Sequence, residues 1–292
     1  MKLGHAAIAT LLTAAGACAW ADDAPPPLRS VTWLTSEDLH PAPAAGTTPR
    51  PPSFALDLAA FLRSRWRGVG HAFELANARR SWEMIAAGEP ACQLFAVRTP
   101  ERERLAYFAD ALLVAPHEVL VRRDKLAALP RNAAGEVDLA RLLADHRLRG
   151  AITEARSYGP FIDAQLHAAP PDANLAHYST KDSGHNMVEM LAKNRADYSF
   201  GFNRAVELGE WAGSVVGAPI AGVDQLVHGG VACPRTPWGL AVIRQVDALF
   251  ATPDGQAMIR LKMDQQMMPA TRKRYAAEIA AFYRDLAKPP PR

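Results

Sequence analysis

Short apolar segments alternate with amphipathic helical segments along nearly the whole chain, and no other feature constrains the fold as strongly. Such alternation is typical of an α/β fold, in which helices connect the strands of a largely parallel sheet. The chain has 292 residues, 49% of them hydrophobic, which is enough for one large domain or two smaller ones. Strands are predicted at 30–34, 72–75, 91–97, 117–122, 149–153, 175–178, 198–202 and 227–233, and helices at 54–66, 81–87, 124–129, 139–143, 161–167, 187–193, 240–250, 255–263 and 272–286.

Residues 1–21 have the organisation of a secretory signal peptide. Lys2 precedes an apolar run at 6–17, and residues 19–21 supply the small side chains of a cleavage site. The apolar run is shorter than the ~20 residues that cross a bilayer, so we expect export to the periplasm. Two alternatives stay open: an N-terminal helix of the folded domain, and a lipoprotein anchored through Cys18.

Three cysteines are too few for a disulfide-rich scaffold. Removal of the signal peptide takes Cys18 and leaves Cys92 and Cys233. Because exposed thiols are oxidised outside the cytoplasm, we expect these two cysteines to form a disulfide. Two separate buried thiols are the alternative.

The charge and the motif content of the chain argue against several functional classes. Thirty-three Lys and Arg face 30 Asp and Glu, a net charge of +3 without a long basic block, so nucleic-acid binding is not expected. The nine histidines have no paired spacing, so no metal site is expected. Phosphate-loop, dinucleotide and nucleophile-elbow motifs are missing from the sequence, so we expect neither a cofactor nor catalysis.

The segment from Trp82 to Val121 contains several short motifs in a distinctive order. They are a helix ending in Ile85-Ala86-Ala87-Gly88, a strand with Cys92, Thr99-Pro100-Glu101-Arg102, Tyr107-Phe108-Ala109-Asp110 and a crossing strand. This order resembles the family 3 extracytoplasmic solute-binding proteins, which have the type 2 periplasmic binding fold. The later Cys233-Pro234-Arg235-Thr236 segment is similar to that of an exported subgroup with a Cys before Thr-x-x-Arg.

The resemblance implies an α/β architecture of two lobes joined by two crossing hinge strands. Lobe 1 would comprise 22–116 plus 227–292, and lobe 2 would comprise 117–226. Both mature cysteines would then lie on strands of lobe 1. The resemblance also implies a monomer that captures a small-molecule ligand in the interlobe cleft for an ABC-type permease or for a sensor.

Arg102 is the main candidate for ligand binding. In the resembling family the arginine of Thr-x-x-Arg holds the carboxylate of the ligand. The start of a helix would add free N–H groups and a positive dipole, and Thr99 would add a hydroxyl. The alternative is that Arg98, Arg102 and Arg104 form a solvated charged face.

The loop that follows the strand at 149–153 supplies candidates from lobe 2. Ligands of open α/β sheets lie beyond the carboxyl ends of the strands, so Arg156, Ser157 and Tyr158 are expected at the cleft. An ordinary helix-capping loop is the alternative. Asn203 stands where amino-acid binders of the family have an Asp, so we expect an anionic or polar ligand other than an α-amino acid.

Other residues have weaker claims to the cleft. Trp33 and Trp82 could stack on a ligand, although packing in a core is the more common fate of tryptophan.

The competing function is an enzyme on the same fold, similar to dehydratases of small carboxylates. Glu154 and Asp182 would be its proton-transfer groups, and neither has a recognisable partner in the sequence. A ligand-sensing module for a signalling partner is the other alternative.

Overall fold

The structure is a computed structural model that describes most of the chain after the predicted signal peptide. The described residues are 28–36, 54–179, 183–203, 206 and 211–288, with only the backbone described at 183–185. The predicted signal peptide, Cys18 and Asp182 lie outside these ranges. Within them, no helix has both the length and the apolar character of a membrane span.

Five strands form the first sheet: β1 (Ser30–Thr35), β2 (Gly70–Leu75), β3 (Ala91–Val97), β4 (Ala106–Val114) and β10 (Val227–Pro234). They follow the order β2-β1-β3-β10-β4. β1 is parallel to β2 and β3, whereas β10 is antiparallel to β3 and β4. The central strands are almost continuously apolar because helices cover both faces of this sheet.

The helices of the first sheet begin at side-chain caps that the sequence makes visible. Asn77 accepts from the backbone N–H of Arg80, and Thr236 accepts from that of Gly239. The helices are α1 (Phe54–Arg65), α2 (Ala78–Ala86), α3 (Pro100–Glu103), α7 (Pro237–Phe250), α8 (Pro253–Gln266), α9 (Pro269–Arg274) and α10 (Ala276–Leu286).

The second sheet consists of β5 (Glu118–Arg122), β6 (Gly150–Thr153), β7 (Leu175–Tyr178), β8 (Tyr198–Gly201) and β9 (Val215–Ala218). Their order is β7-β6-β8-β5-β9. β6 is parallel to its neighbours, whereas β5 is antiparallel to β8 and β9. A 3-10 helix (Arg123–Ala128) and the helices α4 (Leu139–Leu143), α5 (Pro160–His167) and α6 (Ser183–Ala192) accompany this sheet.

The chain passes between the two sheets twice, once from β4 to β5 and once from β9 to β10. We call the first sheet with its helices lobe 1 and the second sheet with its helices lobe 2. The predicted lobe boundaries at 116 and 226 stay a prediction. Each lobe has its own core: Trp33 and Phe250 belong to the core of lobe 1, and Tyr198 belongs to that of lobe 2.

Two expectations about the sheets need correction. Both sheets are mixed rather than parallel, because β5 and β10, the strands that follow the crossings, run against their neighbours. β4 and β9 were not predicted as strands.

The predicted helix at 272–286 also needs correction, because it is divided at Tyr275. The backbone of Tyr275 (φ −105°, ψ 23°) is not helical, and its hydroxyl donates to the carbonyl of Asp224.

The expected disulfide is present. Cys92 on β3 and Cys233 on β10 are bonded across adjacent antiparallel strands, 141 residues apart in sequence. Both are fully buried in the core of lobe 1. The bond therefore connects the early part of the chain to the segment that returns from lobe 2.

Candidate functional site

Arg102 lies near the end of α3, at the edge of lobe 1 that faces lobe 2. Thr99 is the N-cap, because its hydroxyl accepts from the backbone N–H of Arg102 at 3.3 Å, and Pro100 is the first helical residue. α3 has only four residues, so the helix dipole that we expected at this site contributes little. The charge of the guanidinium is the main electrostatic feature.

The guanidinium of Arg102 spans the space between the lobes. One terminal nitrogen donates to the carbonyl of Val97 on its own lobe at 2.9 Å, and the other donates to the carbonyl of Ala155 on lobe 2 at 3.0 Å. Its carbon lies 4.5 Å from the ring centroid of Trp82, which gives a cation–π contact. This environment differs from the solvated charged face that was the alternative for Arg102.

Arg102 keeps its charge in these surroundings. Burial lowers the pKa of Arg102 to about 10, which attraction to Asp163 opposes and repulsion from Arg156 reinforces. The side chain is still protonated at neutral pH. Among the described residues, no carboxylate lies within 4.0 Å of its nitrogens. A partly desolvated charge whose nearest carboxylates act only from beyond ion-pair distance is unfavourable, and an anion entering the cleft would relieve this cost.

Further contacts connect the two lobes beside Arg102. The amide nitrogen of Asn77 donates to the hydroxyl of Ser179 at 3.0 Å, and Arg79 lies 4.0 Å from the carboxylate of Glu154. Ala155 has a left-handed backbone (φ 56°), which is uncommon for a residue with a Cβ and which accompanies the carbonyl that faces Arg102. The lobes are therefore in contact along this side of the cleft.

Ser157 and Tyr158 are buried and have partners within lobe 2. The hydroxyl of Ser157 donates to Asp163, and the backbone N–H of Tyr158 donates to the same carboxylate at 2.8 Å. The hydroxyl of Tyr158 accepts from the backbone N–H of Thr153. Arg156, by contrast, is partly exposed, with its guanidinium 5.5 Å from the ring centroid of Tyr158.

Two other predicted residues have partners within their own lobes. Trp33 is fully buried, donates to His71 at 2.9 Å and packs edge-on against Trp66, so the core alternative describes it and stacking on a ligand does not. The side-chain oxygen of Asn203 accepts from the backbone N–H of Gly217 at 3.0 Å, which connects the end of β8 to β9.

Sequence patterns did not predict the buried position of His117 between the lobes. This residue lies at the first crossing, 1% exposed, with its ring stacked on Phe202 at a centroid distance of 4.0 Å. Burial, together with the smaller effect of the nearby charge of Arg156, lowers the pKa of His117 to about 3, so the ring is neutral at physiological pH. A single histidine without a spacing motif gives no signal of such a position.

A cavity of about 590 Å³ adjoins the second crossing, between the start of α3 and the start of α5. Its arginine, Arg98, is paired with Glu103 and with Asp110, both at 2.7 Å, and His228 lies 3.4 Å from Asp110. The cation of this cavity is thus neutralised, unlike Arg102. In the described part of the chain, no three His, Cys, Asp or Glu side chains are arranged to hold a metal ion.

No protein-family model matches the sequence, and no curated protein matches it. Solved structures do match over most of the chain. The substrate-binding protein of an amino acid ABC transporter has a TM-score of 0.59 at 13% identity, over 81% of this chain and 98% of that one. A histidine kinase sensor domain with similarity to periplasmic binding proteins has a TM-score of 0.52 at 16% identity, over 80% and 95% of the two chains.

A third similar structure belongs to an ancestral amino acid-binding protein, a precursor of cyclohexadienyl dehydratase. Its TM-score is 0.56 at 16% identity, over 82% of this chain and 96% of that one. At these identities the similarity establishes the fold, so the predicted two-lobed periplasmic binding fold is confirmed. The three similar proteins have different roles, so the shared fold does not determine the function of this protein.

Proposed function

We propose that this protein is an extracytoplasmic solute-binding protein of family 3, which closes on a small anionic ligand and delivers it to an ABC-type permease. The observation that carries this proposal is Arg102, a charged guanidinium between the lobes with no carboxylate of the described residues within ion-pair distance. The two-lobed fold supports it, because hinge closure around a ligand is a common use of such folds.

In this proposal Arg102 holds the anionic group of the ligand. A guanidinium has five N–H donors, and two of its nitrogens each donate to one carbonyl here. The remaining N–H groups can donate charge-assisted hydrogen bonds to a carboxylate. Trp82 restrains the plane of the guanidinium, which reduces the entropy lost when the anion binds.

We further propose that residues 1–21 direct export and are removed, with lipid attachment at Cys18 as the alternative. The disulfide between Cys92 and Cys233 supports an oxidising compartment, since such bonds seldom persist in the cytoplasm. Cell fractionation and mass spectrometry of the mature N-terminus test both versions. A mature protein that begins at residue 22 is the expected result, and an intact Met1 in the cytoplasm would contradict it.

A sensing role uses the same closure, and the similar sensor domain supports it as the second candidate. An enzymatic role has less support from the cleft. Glu154 lies 4.0 Å from Arg79, and Asp163 accepts from Ser157 and from the backbone of Tyr158, so both carboxylates already have partners. Asp182, the other predicted proton-transfer group, lies outside the described residues.

A thermal-shift screen of the mature protein against small organic acids, amino acids and sugars tests the proposed function. We expect small anions to raise the unfolding temperature, because a ligand that binds only the folded state stabilises it. Each stabilising compound is then incubated with the protein and analysed by mass spectrometry. Recovery of the unchanged compound is expected, whereas turnover would favour the enzyme, and stabilisation by neutral compounds alone would contradict the anion site.

A further inference from the structure

The cavity beside the second crossing has the size of a small-molecule site. Its volume of about 590 Å³ lies within the range of about 300–1,000 Å³ that is usual for ligand pockets. Lobe 1 contributes the start of α3 and Asp110 of β4, lobe 2 contributes the start of α5, and the second crossing with the start of β10 contributes residues 222–228. Arg102 does not line this cavity, so the cavity differs from the candidate anion site.

Negative charge exceeds positive charge in the lining of the cavity. Among the described residues that line it, Arg98 is the only one with a permanent positive charge, and it pairs with Glu103 and Asp110 at 2.7 Å. His228 lies 3.4 Å from Asp110, whose Oδ1 is buried without a hydrogen-bond partner in the described part of the chain. Asp224 adds a third carboxylate, and no Lys, Arg or His nitrogen of the described residues lies within 4.0 Å of it. Even a protonated His228 would leave the lining negative, and walls of low dielectric strengthen its field.

Phe161, at the start of α5, gives the cavity an aromatic wall. The side chain is 40% exposed, which is high for a large apolar residue. Gly222 (φ +81°) lies beside the ring, and a Cβ at that position would stand 3.0 Å from it, so the close approach requires glycine. The other apolar residues of the lining include Pro160, Ile162, Val223, Leu226 and Val227. An aromatic wall beside carboxylates favours a cation that carries an apolar group.

We infer that this cavity is a second binding site, which takes a small organic ammonium with an apolar body. The ammonium would donate charge-assisted hydrogen bonds to the carboxylate of Asp224, and the apolar body would pack against the ring of Phe161. Arg98 would hold Glu103 and Asp110 in place. The inference goes beyond the proposed function, because this ligand is a cation whereas the ligand of Arg102 is an anion. Since both lobes and the second crossing line the cavity, binding would favour the arrangement of the lobes seen here.

Ligand-observed NMR titration of the mature protein with three probes tests the site. Benzylamine is a cation at neutral pH with an aromatic body, benzyl alcohol has the same body without the charge, and methylamine has the charge without the body. We expect benzylamine to bind at least about fivefold more tightly than benzyl alcohol, because an ion pair in a partly solvated site contributes up to about 1 kcal/mol. Methylamine should bind at least about tenfold more weakly than benzylamine, because it buries no ring.

Two variants separate the charge from the aromatic wall. Asp224→Asn should weaken binding of benzylamine by about fivefold and leave that of benzyl alcohol unchanged, whereas Phe161→Ala should weaken both by about fivefold to tenfold. Asp172→Asn is the matched control on lobe 2, because Asp172 is exposed, lies 3.7 Å from His146 and does not line the cavity. It should leave both affinities unchanged, and circular dichroism checks that all three variants are folded.

Three results would each overturn the second site. They are a lack of benzylamine binding, equal affinities for benzylamine and benzyl alcohol, and an unchanged benzylamine affinity in Asp224→Asn. The most stabilising carboxylate of the thermal-shift screen should leave benzylamine bound, and displacement of the amine would show that the two ligands share one site. If the amine binds as expected and no compound of that screen does, the proposed function is wrong and the second site stands.

Discussion

The guanidinium of Arg102 on lobe 1 donates a 3.0 Å hydrogen bond to the backbone carbonyl of Ala155 on lobe 2. The carbonyl belongs to a residue with a left-handed backbone, a conformation that needs support from its surroundings. The same side chain that is proposed to bind the ligand therefore also joins the lobes. If the proposed role of Arg102 is correct, ligand binding and contact between the lobes depend on the same residue.

Arg102→Ala should shift the ligand-free protein towards an open arrangement. The variant loses the hydrogen bond to Ala155, and a hydrogen bond to a charged group contributes about 1.5–3 kcal/mol. Small-angle X-ray scattering should show a larger radius of gyration than that of the native protein. Arg65→Ala is the control, because Arg65 pairs with Asp254 within lobe 1, and equal radii for all three proteins would contradict the account.

Loss of the disulfide should destabilise the protein strongly. Replacing Cys92 and Cys233 together by Ala opens a loop of 141 residues in the unfolded chain, and removal of such a bond costs about 2–4 kcal/mol. Thermal unfolding with and without a reductant measures the effect. The reductant should lower the unfolding temperature of the native protein but not that of the double variant; a native protein insensitive to reduction would argue against the bond.

Asp247 should make the stability depend on pH near neutrality. Burial raises the pKa of Asp247 to about 7, the charge of Asp110 adds to this effect, and Arg98 opposes it. The native state therefore retains a proton that the unfolded state releases near pH 3.8. The contribution of this group is fully present below that pH and is lost as the pH rises through 7.

Asp247→Asn removes this titration. At pH 8 the variant should be more stable than the native protein by about 1–2 kcal/mol after allowance for solvent screening, and at pH 4 the difference should be small. Denaturant unfolding at several pH values measures both. Parallel stability profiles of the two proteins between pH 4 and 8 would contradict the assigned titration.

Local sequence patterns predicted the strands that are recognisable from their own apolar residues and from the turn residues directly beside them. β3 and β7 have the predicted bounds. β4 was missed because its sequence, apolar apart from Asp110, is compatible with a buried strand or a helix. β9 has only four residues and pairs with β5, far earlier in the chain, so its structure depends on contacts that no local pattern records.

The candidate site shows the same division. The N-cap at Thr99 is a local feature, and the family resemblance directed attention to Arg102. The core position of Trp33 and the bond from Asn203 to β9 depend on tertiary packing. The left-handed backbone of Ala155 could not be foreseen, because alanine gives no signal of that conformation.

The central claim is that Arg102 holds the anionic group of the ligand. Its most direct test is calorimetric titration of the most stabilising carboxylate of the screen into the native protein, Arg102→Gln and the control Arg65→Gln. We predict that Arg102→Gln weakens binding by about a hundredfold, because truncation of a desolvated charged partner costs 2–5 kcal/mol, and that the control binds normally. An unchanged dissociation constant for a folded Arg102→Gln variant would contradict the account.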